Sequence, residues 1–345
     1  MGSNARMTKT ILVTGGTGFI GSHASVALQQ AGYRVLILDN LSNSSVGVLD
    51  AIAAISGTRP DFVQGDIRDA ATLSRVFSGH AIAAVLHFAG LKAVGESTRQ
   101  PLAYYDNNVH GSVQLFAAMQ QAGVKTVVFS SSATVYGDPQ RLPLTEDHPR
   151  SATNPYGHTK LVIEDILDNL YQSEAGWRIA RLRYFNPVGA HPSGLMGEAP
   201  QGVPNNLMPY VAQVATGQRA HVQVYGSDYD TPDGTGVRDY IHIMDLAAGH
   251  VRALKHCLDA DQALLTVNLG TGVGYSVLEM IRAFAQASGK DIAYDLVARR
   301  PGDIAACWAD TELAYKTLGW RAEKGIKDMC DDAWRWEMRR AAIAA

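Results

Sequence analysis

At 345 residues the chain is long enough for about two domains. Its 46% hydrophobic and 18% charged residues exclude a disordered chain. A formal net charge of -3, with no Lys/Arg run, excludes a general affinity for nucleic acid, and no uninterrupted apolar stretch is long enough to cross a bilayer.

Residues 1–6 carry no apolar signal core and read as an addition ahead of a native start at Met7. From there, apolar runs alternate with helix-like stretches. Strands are predicted at Thr10–Val13, Arg34–Asp39, Asp61–Gln64, Ala84–Phe88, Thr126–Ser130 and Ile179–Tyr184. Most are apolar throughout rather than alternating, as parallel strands covered on both faces must be. Helices are predicted between them at Phe19–Ala31, Val46–Ser56, Ala70–Phe77, Pro101–Gln121 and Tyr156–Tyr171, with Gly32, Gly57 and Gly123 where three of them would stop. Repeated β-α units with short joints predict a doubly wound parallel Rossmann sheet with right-handed crossovers.

After Asn186 the composition changes, and 187–236 is rich in Gly, Pro and Asn. The organisation expected is a dinucleotide-binding Rossmann domain over 7–186 and a smaller C-terminal substrate-binding α/β domain over 187–345. A predicted helix at Asp245–Leu254 and strand at Leu264–Leu269 indicate that the segment around 240–270 returns to the first sheet. The helix from Tyr156 carries Leu161, Val162, Ile163, Ile166, Leu167, Leu170 and Tyr171, which cover about half its circumference, wider than a single core-facing stripe. Two readings stand: a deeply buried helix, or one with its second face on another subunit, joined there by Pro101–Gln121.

The run Thr14-Gly15-Gly16-Thr17-Gly18-Phe19-Ile20-Gly21 lies between a predicted strand and a predicted helix. Gly15 permits a tight exit from the strand, Gly18 lets backbone approach a pyrophosphate, and Gly21 allows close helix–strand packing. The helix would aim unpaired N–H groups at the phosphates. Asp39, closing the second strand, can accept hydrogen bonds from both ribose hydroxyls and would repel a 2′-phosphate, which favours NAD over NADP. A later run, Asn268-Leu-Gly270-Thr-Gly272-Val-Gly274, has no acidic residue at the end of a following strand and reads as an ordinary strand-to-helix turn.

Tyr156 and Lys160 stand one turn apart on a helix face. An ammonium there would favour the phenolate, since an adjacent positive charge stabilises the charged form. Ser130-Ser131-Ser132 ends a predicted strand, at the edge where ligands sit in such sheets. No G-x-S-x-G elbow surrounds these serines, so a serine nucleophile is not expected. Dinucleotide turn, tyrosine–lysine pair and serine together predict hydride transfer at a carbinol carbon. Cys257, Cys307 and Cys330 have no CxxC spacing and fit a reducing cytoplasm, and the histidines form no metal-binding pattern.

Longer motifs carry a family likeness. They are His87-Phe-Ala-Gly-Leu-Lys92-Ala-Val-Gly-Glu-Ser97, Tyr104-Tyr-Asp-Asn107, Ser130-Ser-Ser-Ala-Thr-Val-Tyr-Gly137, Arg183-Tyr-Phe-Asn186, Pro204-Asn-Asn206-Leu207, Gly234-Thr-Gly-Val-Arg238 and Arg300-Pro-Gly-Asp303. On these, from about Thr10 to Trp336, the chain resembles the extended short-chain dehydrogenase/reductases and, within them, the UDP-hexose 4-epimerases. Phe19, often tyrosine in that family, is a mild departure.

The resemblance implies an NAD-dependent isomerase acting on a UDP-sugar through a 4-keto intermediate, with the catalytic residues Tyr156, Lys160 and Ser132. It implies a cofactor site of Gly15, Gly18, Phe19, Ile20, Gly21, Asp39, Asn40, Asp66, Ile67, Phe88, Ala89, Gly90, Lys92, Asn107, Tyr156, Lys160 and Phe185. It assigns the UDP-sugar to Lys92, Ser132, Tyr156, Asn186, Asn206, Leu207, Arg238, Arg300, Asp303 and Cys307, and it implies a homodimer. Arginines suit that task because a guanidinium matches phosphate geometry. Cys307, just before Trp308-Ala-Asp310, stands where some members of the family carry a bulky tyrosine beside the sugar C2 substituent. A small residue there implies action on UDP-N-acetylglucosamine and UDP-N-acetylgalactosamine as well as on UDP-glucose and UDP-galactose.

The alternatives are another sugar-nucleotide enzyme, a 4,6-dehydratase or a decarboxylase, and a non-catalytic NAD-binding module. A dehydratase needs an acid–base pair after the serine position, where this chain has Ala133-Thr134. A binding module would be expected to lose Tyr156, Lys160 or the arginines, and all are present.

Overall fold

The computed structural model describes residues 8–200, 204, 206–300 and 302–344. The expected start at Met7 lies outside them. The first half runs β1 (Thr10–Thr14), α1 (Phe19–Gln30), β2 (Arg34–Asp39), α2 (Val48–Ser56), β3 (Asp61–Gln64), α3 (Ala70–Gly79), β4 (Ile82–His87), α4 (Val94–Arg99), α5 (Pro101–Tyr104), a π-helical stretch (Tyr105–His110), α6 (Gly111–Gln121), β5 (Thr126–Ser132), α7 (Pro155–Ser173) and β6 (Arg178–Tyr184). The second half runs β7 (Asn186–Val188), α8 (Leu207–Ala215), β8 (Val222–Tyr225), β9 (Val237–His242), α9 (Ile243–Asp259), β10 (Ala263–Leu269), β11 (Gly274–Ser276), α10 (Val277–Ser288), β12 (Tyr294–Val297), β13 (Ala306–Cys307), α11 (Glu312–Leu318) and α12 (Ile326–Ala344).

Seven strands form one parallel sheet in the order β10-β6-β5-β4-β1-β2-β3. Its apolar strands face two cores. Ile11, Val13, Val35 and Ile37 pack with α1, α2 and α9 on one side, and Leu12, Leu36 and Leu38 pack with α3, α6 and α7 on the other. Burial on both faces is why these strands read as continuous apolar runs. The chain winds outward from β1 in one direction and resumes at β4 in the other, so the strand order reverses between β1 and β4. A doubly wound sheet holds ligands at such a reversal, beyond the carboxyl ends of its strands.

The small sheet β11-β9-β13, with β7 on β9, and the pair β8-β12 pack with α8, α10 and α12 around Val188, Val211, Val224, Phe284 and Met329. The helix expected over Pro101–Gln121 is continuous, but it widens into π geometry at Tyr105–His110. The run Asn268–Gly274 leads into the short strand β11 before α10, not directly into a helix. Its amides are already engaged: Thr271 N and Gly272 N donate to the buried Asp239 carboxylate at 2.8 and 3.0 Å.

Candidate active site

The glycine turn leaves β1 at the reversal point. A Cβ on Gly21 would lie 2.3 Å from the Gly15 carbonyl oxygen, so only glycine lets α1 start this close to the strand end. The N-cap of α1 is Gly18, with no side-chain cap and no acidic residue in the first turn. The positive end of that helix is therefore free to meet an anion. The Asp39 carboxylate is steered toward the same turn by the backbone N–H groups of Thr17 (3.1 Å) and Leu41 (2.9 Å). A glycine cradle, an uncapped helix end and a carboxylate after β2 form a donor and acceptor set that fits a dinucleotide. Asp66, following β3, is bridged by Arg68 and Asn40, and the Arg68 contact holds its carboxyl well below the usual range.

Beyond β4, residues 88–92 form the next wall. Asn108, absent from the sequence-based candidates, fixes them: its Oδ1 accepts from Leu91 N at 2.8 Å and its Nδ2 donates to Leu91 O at 3.0 Å. The same amide donates to Thr159 on α7, and Asn107 donates to its Oδ1. The π-helical widening turns Asn108 inward, where it is almost fully buried. Its sequence signal is a pair of adjacent asparagines, poor helix formers, in the middle of an otherwise helical run.

Strand β5 runs two residues further than the apolar pattern predicts, so Ser132 is its last residue and caps the turn at Ala133–Tyr136. Ser132 Oγ accepts hydrogen bonds from Thr134 N (3.2 Å) and Thr134 Oγ1 (2.9 Å), which leaves its own proton to donate. Asn154 caps α7 by accepting from Gly157 N at 2.9 Å. A Cβ on Gly157 would lie 2.9 Å from Thr134 O, so this glycine lets the helix close on the serine turn and sets Tyr156 beside Ser132.

The electrostatics differ from expectation in one respect. Burial pushes the Tyr156 phenol up, with the Ser132 hydrogen bond pulling against it. Lys160 follows one turn along α7. Its ammonium is buried and donates to Ser130 O at 2.6 Å, and burial brings it down to about 8. Helical spacing places the two side chains on one face but does not say which of them finds a carbonyl first.

One turn further, Glu164 is fully buried. Its carboxylate accepts from Ser131 Oγ (2.6 Å), Arg183 Nε (2.9 Å) and Arg183 Nη2 (2.7 Å). Burial alone would raise this carboxyl, but Arg183 outweighs it and holds it below the ordinary value. Lys160 and Glu164 thus pin α7 to the backbone and side chains of β5 under Tyr156. The sequence reading missed Glu164; the signal was an acidic residue on the face that carries Tyr156 and Lys160.

On the far side, Phe185 and Cys307 pack with Val135, Tyr136, Leu144 and Ala309 in one cluster. Cys307 is paired with Arg238 across β13 and β9. Arg300 is ion-paired to Asp303 at 2.9 Å and stacks on Tyr225. Burial pushes the Tyr240 phenol up to about 12, while Arg238 and Arg300 both draw it down. Asn186 opens β7 and is exposed, Asn206 precedes α8, and Leu207 begins it. Glu198, also missed from sequence, accepts from both Lys92 Nζ (3.0 Å) and Asn206 Nδ2 (2.7 Å).

A family model described as GDP-mannose 4,6 dehydratase matches residues 12–333. The UDP-glucose 4-epimerase of Bacillus subtilis (strain 168) is 56% identical over 327 residues, covering 95% of this chain and 96% of that one. The UDP-glucose 4-epimerase of Bos taurus is 53% identical over 338 residues, with 96% and 97% covered. The chain belongs to the UDP-glucose 4-epimerase family. Among solved structures, the family member from Stenotrophomonas maltophila with bound NAD and formylated UDP-arabinopyranose superposes with a TM-score of 0.95 at 53% identity, covering 98% of this chain and all of that one. The member from Bifidobacterium longum, in complex with NAD+ and UDP, gives 0.94 at 52% identity, with 96% and 99% covered. Both likenesses place this epimerase family within the extended short-chain dehydrogenase/reductases, on the doubly wound sheet described above.

Proposed function

We propose that this chain is an isomerase that interconverts UDP-galactose and UDP-glucose with bound NAD. The observation that carries the reading is Tyr156 set beside Ser132 at the carboxyl end of β5, with the uncapped glycine turn after β1 in the same sheet. NAD⁺, when bound, supplies the acceptor for the hydride of sugar C4 and returns it. Tyr156 Oη takes the proton of the 4-hydroxyl and gives it back after the keto group has turned over. Ser132 hydrogen-bonds the 4-oxygen and helps relay the proton between it and Tyr156. Lys160, held on Ser130 O, would bind the nicotinamide ribose. Gly15, Gly18, Phe19, Ile20, Gly21, Asp39, Asn40, Asp66, Ile67, residues 88–90, Lys92, Asn107 and Phe185 line the cofactor. Asn186, Asn206, Leu207, Arg238, Arg300 and Asp303 keep the UDP portion in place while the sugar turns.

The testing experiment is incubation with UDP-galactose and no added cofactor. UDP-glucose should form with no net NADH. Release of a dehydrated keto sugar would favour the dehydratase reading, and an absence of turnover the binding module. Asp39 makes a second expectation: protein purified without added nucleotide should release NAD on denaturation. Asp39→Ala should narrow the preference for NAD over NADP on the order of 10- to 100-fold, since hydrogen bonds to charged groups are worth about 1.5–3 kcal/mol. Unchanged discrimination in competitive binding would remove Asp39 from this role.

The N-acetylated pair is also a substrate on this reading. Cys307 is buried among Phe185, Leu144 and Ala309, and it is far smaller than a tyrosine at the same place would be. Overpacking a filled pocket costs about 1–3 kcal/mol. Cys307→Tyr should therefore suppress turnover of UDP-N-acetylgalactosamine by about 5- to 150-fold, the rate equivalent of that cost, while sparing UDP-galactose. Equal loss on both sugars would count against a gate at this position.

We propose a homodimer, supported by the exposed Leu102 and Val113 on the helices next to α7. A cytoplasmic setting is supported by three free, buried cysteines. No helix among the described residues is long and apolar enough to cross a membrane. The division into residues 7–186 and 187–345, with the segment around 240–270 completing the first unit, is supported by β10 lying in the seven-stranded sheet.

A further inference from the structure

Glu198 has no part in the chemistry described, yet it is where the two walls of the site meet. Its side chain is about one-tenth exposed, and a single oxygen, Oε1, accepts from Lys92 Nζ at 3.0 Å and from Asn206 Nδ2 at 2.7 Å. Each end of this bridge is held from behind. Lys92 follows the segment clamped by Asn108 through both the N–H and the C=O of Leu91. Glu198 ends a hairpin closed by the Ala190–Gly197 bridge, and its carbonyl accepts from Trp336 Nε1 on α12 at 3.3 Å. Asn206 is the last residue before α8, so a contact that fixes its amide also fixes the entry to Leu207 and the helix behind it.

We infer that Glu198 is a positioning residue, which holds the Asn206 amide in place for the sugar nucleotide and draws Lys92 across from the cofactor wall. This inference rests on the proposed UDP-sugar site. An amide whose Nδ2 is held by a carboxylate has its Oδ1 direction fixed as well, because the two atoms share one plane. It can then offer a fixed acceptor to a substrate hydroxyl or amide without first losing rotamer freedom. The ion pair with Lys92 is half exposed and contributes little by itself; its role is to orient the carboxylate.

The test is steady-state kinetics with UDP-galactose on five holoenzymes: wild type, Glu198→Ala, Glu198→Gln, Asn206→Ala and the double variant Glu198→Ala/Asn206→Ala. Glu198→Ala should raise KM about 10-fold, as expected for losing one hydrogen bond to a charged group, with kcat changed far less. Glu198→Gln keeps an acceptor for Asn206 and should recover most of the KM. The double variant should be no worse than Asn206→Ala, because Glu198 acts through that amide. A KM in Glu198→Ala within twofold of wild type, or losses that multiply in the double variant, would overturn the inference. So would equal loss in the Gln and Ala variants. Failure of the wild type to epimerise would instead defeat the activity on which it rests.

Discussion

Tyr156→Phe should retain the fold and its NAD but lose about 10²- to 10⁴-fold in turnover of UDP-galactose, the usual worth of a positioned general base. The substitution removes one oxygen and almost no volume. Packing at the start of α7 rests on the Asn154 cap and on Gly157 against Thr134, neither of which involves the phenol. What disappears is the group that takes and returns the 4-hydroxyl proton. Because burial raises the phenol and the lysine next along the helix is committed to Ser130 O, the protein alone does not keep Tyr156 ionised at neutral pH. The base limb of the kcat profile in the wild type should therefore depend on bound cofactor, whose nicotinamide is cationic in the oxidised state. Turnover within a few-fold of wild type in purified Tyr156→Phe would exclude the tyrosine as base.

The second large effect is on stability. Glu164→Gln should destabilise the protein by about 3–5 kcal/mol, the cost of removing one partner from a buried ion pair. Against typical total stabilities of about 5–15 kcal/mol this is severe. The amide keeps the shape and can still accept from Ser131, but Arg183, almost fully buried, loses its counter-charge. Urea unfolding of the NAD-loaded protein measures it. The folded carboxyl is depressed by Arg183, so its contribution is complete above the unfolded glutamate value of about 4.3 and is lost as pH falls through the lower folded value. The gap between wild type and variant should stay constant from pH 7 to about 4.3 and narrow only below that. Replacing both partners by apolar residues, Glu164→Leu with Arg183→Met, should recover part of the loss relative to Glu164→Leu alone. No recovery would mean that Arg183 is compensated elsewhere, through Tyr136 and the Glu146 carbonyl, to which it also donates.

The Rossmann half was legible because its physics is local. Continuous apolar strands, glycines at helix ends and a glycine turn before α1 each constrain the backbone within a few residues. The second half resisted because the strands of its small sheets are two to six residues long and pair out of chain order: β9 collects β7, β11 and β13 from three separate stretches. No periodicity announces such a sheet. The same divide runs through the site. Gly21, Asp39, Ser132 and Tyr156 stand at strand or helix ends that the pattern locates. Asn108, Glu164 and Glu198 matter for what they touch 17, 19 and 106 residues away. Pairings at that separation depend on the closed fold.

The fold carries two glycine-rich turns after parallel strands, and a nucleotide approaching either would meet backbone amides. The helix after the first begins without a side-chain cap, and of that turn's amides Thr17 N donates to Asp39. The second is already satisfied from within by Asp239, one residue along from Arg238. That internal carboxylate occupies the amides that a pyrophosphate would otherwise meet there. A chain that handles two diphosphate-bearing molecules at once thereby keeps their addresses apart.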